Sequence, residues 1–86
     1  LILGACAIGP QGLTCPSDEE ASLKAAMLRQ ATQVIVVADA AKFGKAFLHR
    51  LCTFEAIDVL VTDQPLPMPL AEALAALDVE VVIAAG

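Results

Sequence analysis

Basic residues are scarce. Lys and Arg together number 5 against 10 Asp and Glu, a formal net charge of −5. Modules that grip nucleic acid present a basic face, because release of condensed counterions drives that affinity. With no basic excess and no basic run, the chain is not expected to bind DNA by itself. Metal-type cysteine spacing is also missing. Cys6, Cys15 and Cys52 make no C-x-x-C pair, and with His49 the lone histidine they have no partnering His cluster. They read as reduced thiols of a cytosolic protein rather than as a metal or redox centre. No apolar run approaches the ~20 residues that span a bilayer. The apolar start, Leu1-Ile2-Leu3, lacks the basic flank of a signal peptide and runs straight into Gly and Pro. It also lacks an initiator Met, so Leu1 is expected to be an internal point of a longer protein. Repeats, low-complexity tracts and internal linkers are absent as well.

Apolar residues, by contrast, are abundant. They make up 58% of 86 residues, enough chain for one small domain with a modest core. Such a surplus predicts apolar surface that something else covers, either more of the same domain or a partner chain. Three runs read as strands: Val34 to Ala38, Val59 to Thr62 and Val79 to Ala84, with Leu1 to Leu3 as a possible fourth. The first is apolar at every position, which predicts a strand buried on both faces of a parallel sheet. Helical patterns lie between them. Ser17-Asp18-Glu19-Glu20 has the form of a capping box, and the following stretch to Ala31 is expected to place Leu23, Met27 and Ala31 on one face. Leu70, Ala73, Leu74 and Leu77 follow amphipathic helical spacing, approached by Pro65, Pro67 and Pro69. For Phe43 to Ile57 an extended piece followed by a short helical turn is favoured over a helix. The order strand–helix–strand–connector–strand–helix–strand predicts an α/β layered fold with a mostly parallel sheet flanked by helices.

Ligands of open α/β sheets collect beyond the carboxyl ends of the strands. Two strands end in an acid there, Asp39 and Asp63. The loop Asp39 to Lys45 adds Lys42, Gly44 and Lys45. A lysine at this rim can meet a phosphate as a mobile point charge, and Asp39 can accept from sugar hydroxyls. The same residues are also compatible with an acid that caps a turn and a lysine on plain surface. Gly4 to Thr14 reads as a Gly-rich loop whose amides could approach an anion, or as an ordinary turn-rich loop. Glu20 and Lys24 stand at i and i+4, which a capping box plus a surface ion pair explains. His49 reads as a surface or packing residue. Ser17 and Ser22 are accounted for by the helix they start, so no activated nucleophile and no metal site is evident.

Taken in order, several runs resemble the C-terminal domain of DeoR-family transcriptional regulators. These are G-A-x-x-I (Gly4 to Ile8), G-L-T (Gly12 to Thr14), E-E-A-x-x-K-x-x-M (Glu19 to Met27), V-V-A-D-x-x-K-F-G (Val36 to Gly44), I-D-x-L-x-T-D (Ile57 to Asp63) and V-E-V-x-x-A (Val79 to Ala84). The resemblance implies a fold similar to ribose-5-phosphate isomerase and the CoA transferases. It implies that residues 1–86 form the C-terminal half of a sugar-phosphate-sensing domain, with a helix-turn-helix DNA-binding domain outside this chain. It implies a non-enzymatic role, in which a phosphorylated sugar or related metabolite releases a cytoplasmic, homo-oligomeric repressor from DNA, without cofactor, metal or membrane. The effector would meet Gly4, Ala5, Cys6, Glu20, Lys24, Asp39 and Lys42, with Lys42 the leading candidate for a phosphate or hydroxyl contact. Isomerases of this fold carry D-G-A-D where this chain has Leu3-Gly4-Ala5-Cys6, and proton shuttling between sugar carbons needs a positioned carboxylate. The alternative, a sugar-phosphate isomerase, would have to rely on Glu20. A third reading is an unrelated α/β module in which the acids and Lys42 are structural.

Overall fold

The computed structural model describes residues 1–84. Four strands, β1 (Ile2–Gly4), β4 (Ile35–Val37), β6 (Val59–Thr62) and β7 (Glu80–Ile83), form one parallel sheet in the order β1-β4-β6-β7. Helix α1 (Asp18–Gln30) lies in the connection from β1 to β4, and α2 (Met68–Ala76) in that from β6 to β7. A smaller antiparallel sheet, β2-β3-β5, is built from β2 (Ala7–Gly9), β3 (Gly12–Cys15) and β5 (His49–Cys52). Helix α1 packs against β3 and β5. The expected α/β order and the four parallel strands are thus present.

The small sheet replaces the expected Gly-rich loop. Gly4 to Thr14 is largely a hairpin, in which β2 and β3 pair across the tight turn Pro10-Gln11. Gly12 is the residue that permits it. Its φ is +128°, and a Cβ there would overlap the Cys52 carbonyl oxygen on the neighbouring strand. The Phe43–Ile57 segment follows the expected form, an extended piece (β5) followed by a 3-10 turn at Phe54–Ala56.

One face of the parallel sheet carries the core. Leu3, Val36 and Leu60 are buried together with Ala21 of α1 and Leu74 of α2. The other face is not covered. Ile35, Val59 and Val61 are half-buried, and Val37 is 44% exposed. The expectation that Val34 to Ala38 is buried on both faces is therefore corrected: the uniform apolar run reflects a face that these 84 residues leave bare. A second correction concerns α1. Its buried side is formed by Ala21, with Ala25, Leu28 and Ala31 packed against the core, whereas Leu23 and Met27 are 64% and 43% exposed. In α2, Leu74 is buried and Leu70 half-buried, but Leu77 projects outward. Pro69 sits in the first turn of α2, where a missing N–H costs nothing. Among the described residues no helix is long and apolar enough to cross a membrane.

Candidate functional site

The site is assembled at the carboxyl end of β1. As expected, Ser17 caps α1: its hydroxyl accepts from the Glu20 N–H at 3.1 Å. A reciprocal capping box would turn the Glu20 side chain back toward the Ser17 N–H. Instead that carboxylate is engaged across the fold. Glu20 Oε1 accepts from Lys24 Nζ at 2.8 Å and from the Cys6 thiol at 3.4 Å. Lys24 Nζ also donates to the Gly4 carbonyl at 3.5 Å and lies 3.9 Å from Cys6 Sγ. The Lys24 and Glu20 side chains are only 19% and 35% exposed, so this is a half-buried pair at a strand end rather than the surface pair that spacing alone suggests.

Four of the seven expected residues, Gly4, Cys6, Glu20 and Lys24, are therefore joined in one polar cluster. Ala5 contributes only backbone: its side chain is buried and its N–H donates to the Val37 carbonyl at 3.1 Å, extending the β1–β4 ladder. Asp39 and Lys42 do not bond to this cluster. The register pairs Gly4 with Val37, so Gly4 to Cys6 and Asp39 leave neighbouring strands at the same edge. Asp39 acts as a local cap, its Oδ1 accepting from the Ala41 N–H at 3.0 Å at the start of the 3-10 turn Ala40–Lys42. Asp63, at the end of β6, reaches across to the same turn and accepts from the Ala40 N–H at 2.9 Å. Lys42 is half-buried in that turn; its backbone N–H donates to the Asp39 carbonyl at 3.0 Å, and its ammonium has no hydrogen-bond or ion-pair partner among the described residues. A cleft of about 200 Å³ lies at this edge, with Val37, Asp39, Val61 and Asp63 in its wall. A larger cleft of about 580 Å³, between the hairpin turn and Phe47, Leu48 and Arg50, is lined by none of the seven residues.

Electrostatics follow from these contacts. The hydrogen bond from Lys24, and then that from the Cys6 thiol, hold the Glu20 carboxyl below its usual range. The same bond to Glu20 raises the Lys24 ammonium above its usual value against the opposing effect of burial. The pair is thus charged throughout the neutral range. Two residues that spacing did not single out belong to the neighbourhood. Cys15, at the end of β3, is buried, and its sulfur lies within 4.8 Å of both Cys6 Sγ and a Glu20 oxygen. Burial raises its thiol pKa. Cys52, more deeply desolvated, is pushed up to about 11. His49 is half-buried with its Nδ1 3.9 Å from Asp18 and takes no part in the cluster.

The family model described as the DeoR C-terminal sensor domain matches residues 1–64, a span that holds the hairpin, α1 and all seven expected site residues. The chain belongs to that family. A match over 83 residues carries the likeness past residue 64. The sensor-family chain is 35% identical over 83 residues to the HTH-type transcriptional regulator GlpR of Haloferax volcanii, covering 95% of this chain and 32% of that protein. It is 33% identical over 63 residues to the HTH-type transcriptional repressor GlcR of Bacillus subtilis, covering 73% and 24%. It is 43% identical over 65 residues to the transcriptional repressor AccR of Agrobacterium fabrum, covering 73% and 25%. The DeoR-type chain thus spans between a quarter and a third of the length of these relatives.

Proposed function

We propose that this chain is the C-terminal half of the effector-sensing domain of a transcriptional repressor, and that its effector is a phosphorylated sugar or a closely related metabolite. The observation that carries this reading is the Lys24–Glu20–Cys6–Gly4 cluster, set at the carboxyl edge of a parallel sheet where the strand leading to Asp39 also ends. Lysine ammonium groups suit a phosphate, and the Glu20 carboxylate, held ionised by Lys24, suits hydroxyls. Gly4 and Ala5 would contribute backbone only.

In this reading the helix-turn-helix domain belongs to the part of the protein outside this chain. Effector binding acts by favouring one of two states, DNA-competent or released, by its differential affinity for them. The short span relative to the GlpR and GlcR proteins, whose names describe HTH-type regulators, supports that division. So does the bare apolar sheet face, which the preceding half of the domain or a second copy would cover. The protein is read as cytoplasmic, homo-oligomeric and not an enzyme. The isomerase alternative draws no support from these relatives, and the Lys24 ammonium lowers the pKa of Glu20, its one candidate base, and so weakens its affinity for a proton.

The test is a thermal-shift screen on the complete sensor domain with phosphorylated sugars, their unphosphorylated parents and inorganic phosphate. A ligand at about a hundred times its Kd stabilises the native state by about 2.7 kcal/mol. One phosphosugar is expected to raise the melting temperature where its parent sugar does not, and Lys24→Ala and Lys42→Ala are each expected to abolish the shift. No shift with any phosphosugar would overturn the assigned effector class.

A further inference from the structure

The β2–β3 hairpin pairs Ala7 with Thr14, Ile8 with Leu13 and Gly9 with Gly12. One step further along the same register, Cys6 falls opposite Cys15. Ser17 sets the first turn of α1 so that Glu20 arrives at the same point. Three donor atoms, two sulfurs and a carboxylate oxygen, therefore lie within 4.8 Å of one another, supplied by three different elements of the fold. We propose that Cys6, Cys15 and Glu20 form a binding site for a thiophilic divalent cation of the zinc class.

The donor set fits that chemistry. Soft thiolates select zinc-like ions over magnesium and calcium, which take all-oxygen sites. Zn–S bonds of about 2.3 Å and Zn–O bonds of about 2.0–2.2 Å place tetrahedral donors just under 4 Å apart, so the present arrangement has to close by about an ångström at most. Cys15 is fixed in the buried end of β3, and Cys6 lies in the short segment between β1 and β2, where closure is easy. Charge balances as well. Two thiolates and a carboxylate carry three negative charges, the Lys24 ammonium offsets one, and a divalent ion cancels the rest. Lys24 need not obstruct the ion. It already has the Gly4 carbonyl as a second acceptor at 3.5 Å, and Glu20 Oε2 accepts no hydrogen bond among the described residues. Three protein donors leave a fourth position for water or a ligand oxygen, the arrangement of an open rather than a purely structural site.

The site shares Cys6 and Glu20 with the proposed effector pocket but does not depend on that reading. The test is a titration of the chelator-treated, fully reduced protein with Co2+, with no sugar phosphate present. The expected result is a thiolate-to-cobalt absorption band that saturates at one equivalent and is displaced by Zn2+. The band should be retained in Cys52→Ser and lost in Cys6→Ser. Because Cys15 is buried and its replacement could unfold the chain, Glu20→Gln supplies the second variant, expected to weaken Zn2+ binding at least about tenfold. Absence of the band in the folded, reduced protein would overturn the proposal, as would a band that survives Cys6→Ser. A failed cobalt titration with an intact phosphosugar shift sinks only the metal site, and the reverse pair of outcomes sinks only the effector class.

Discussion

Glu20 illustrates how a residue's role escapes its local sequence. Ser17 and the three residues after it spell a capping box, and that half of the pattern is satisfied by the Ser17 hydroxyl and the Glu20 N–H. What the spacing could not reveal is that the carboxylate turns away from the helix end to meet Cys6 and Lys24, because that contact depends on where β1 stops relative to α1. Cys15 was hidden for the same reason. Once Gly9 and Gly12 are taken as the ends of a tight hairpin turn, the register alone sets Cys6 against Cys15, so the signal was present but required the hairpin to be seen first. The Glu20–Lys24 pair also fixes a pH dependence. Glu20 titrates lower in the folded chain than in the unfolded one, so its contribution is present above the ordinary glutamate range and is lost as pH falls through the depressed value. Lys24 titrates higher when folded, so its contribution is complete below the ordinary lysine range and is lost as pH rises through the raised value. Melting temperatures of wild type and Glu20→Gln should therefore differ at neutral pH and converge in acid. A difference that persists at the lowest pH would show that the pair does not couple to folding in this way.

At the scale of elements, strands that run through the centre of a sheet were the easiest to read. Val59 to Thr62 is a β-branched and apolar stretch between polar breaks, and β6 occupies the same four residues. The two helices were legible from their caps and spacing, but the faces of α1 were not. Leu23 and Met27 share a helical stripe, yet the side that meets β3 and β5 is the one carrying Ala21, Ala25 and Leu28, where small residues allow close approach. The β2–β3 hairpin of the small antiparallel sheet was the element missed altogether. β2 and β3 are three and four residues long and bounded by Gly and Pro, so alternation has no room to declare itself. Gly12 holds this sheet together, which makes its replacement a sharp test of the hairpin. Gly12→Ala combines a positive φ that a side chain resists with an overlap against the backbone of β5. It is expected to destabilise by on the order of 3 kcal/mol in urea unfolding, more than Gly44→Ala, which carries only the cost of a positive φ (+76°) because its added Cβ meets nothing. Equal, small effects at both positions would contradict the turn geometry.

The molecule as a whole is governed by the imbalance between its apolar content and what 84 described residues can bury. The surplus was evident in composition, but its location was not, since composition carries no information about faces. The fold places much of it on the uncovered side of the parallel sheet and at the last strand, where Ile2, Val37 and Ile83 are 72%, 44% and 52% exposed. All-parallel sheets are normally covered on both faces, so a bare one in water should find a cover. For this chain on its own, the available cover is another copy. Sedimentation velocity is therefore expected to show concentration-dependent association, diminished in Val37→Lys, which puts a charge at the middle of the bare face while leaving Leu3, Val36 and Leu60 undisturbed beneath. A single monomeric species at all concentrations would mean that this face is tolerated in water and is not an interface. If Val37→Lys suppresses association, the same substitution in the complete sensor domain then separates the two possible covers. Loss of the dimer with folding intact would place a second copy on this face, and loss of folding would place the rest of the domain there.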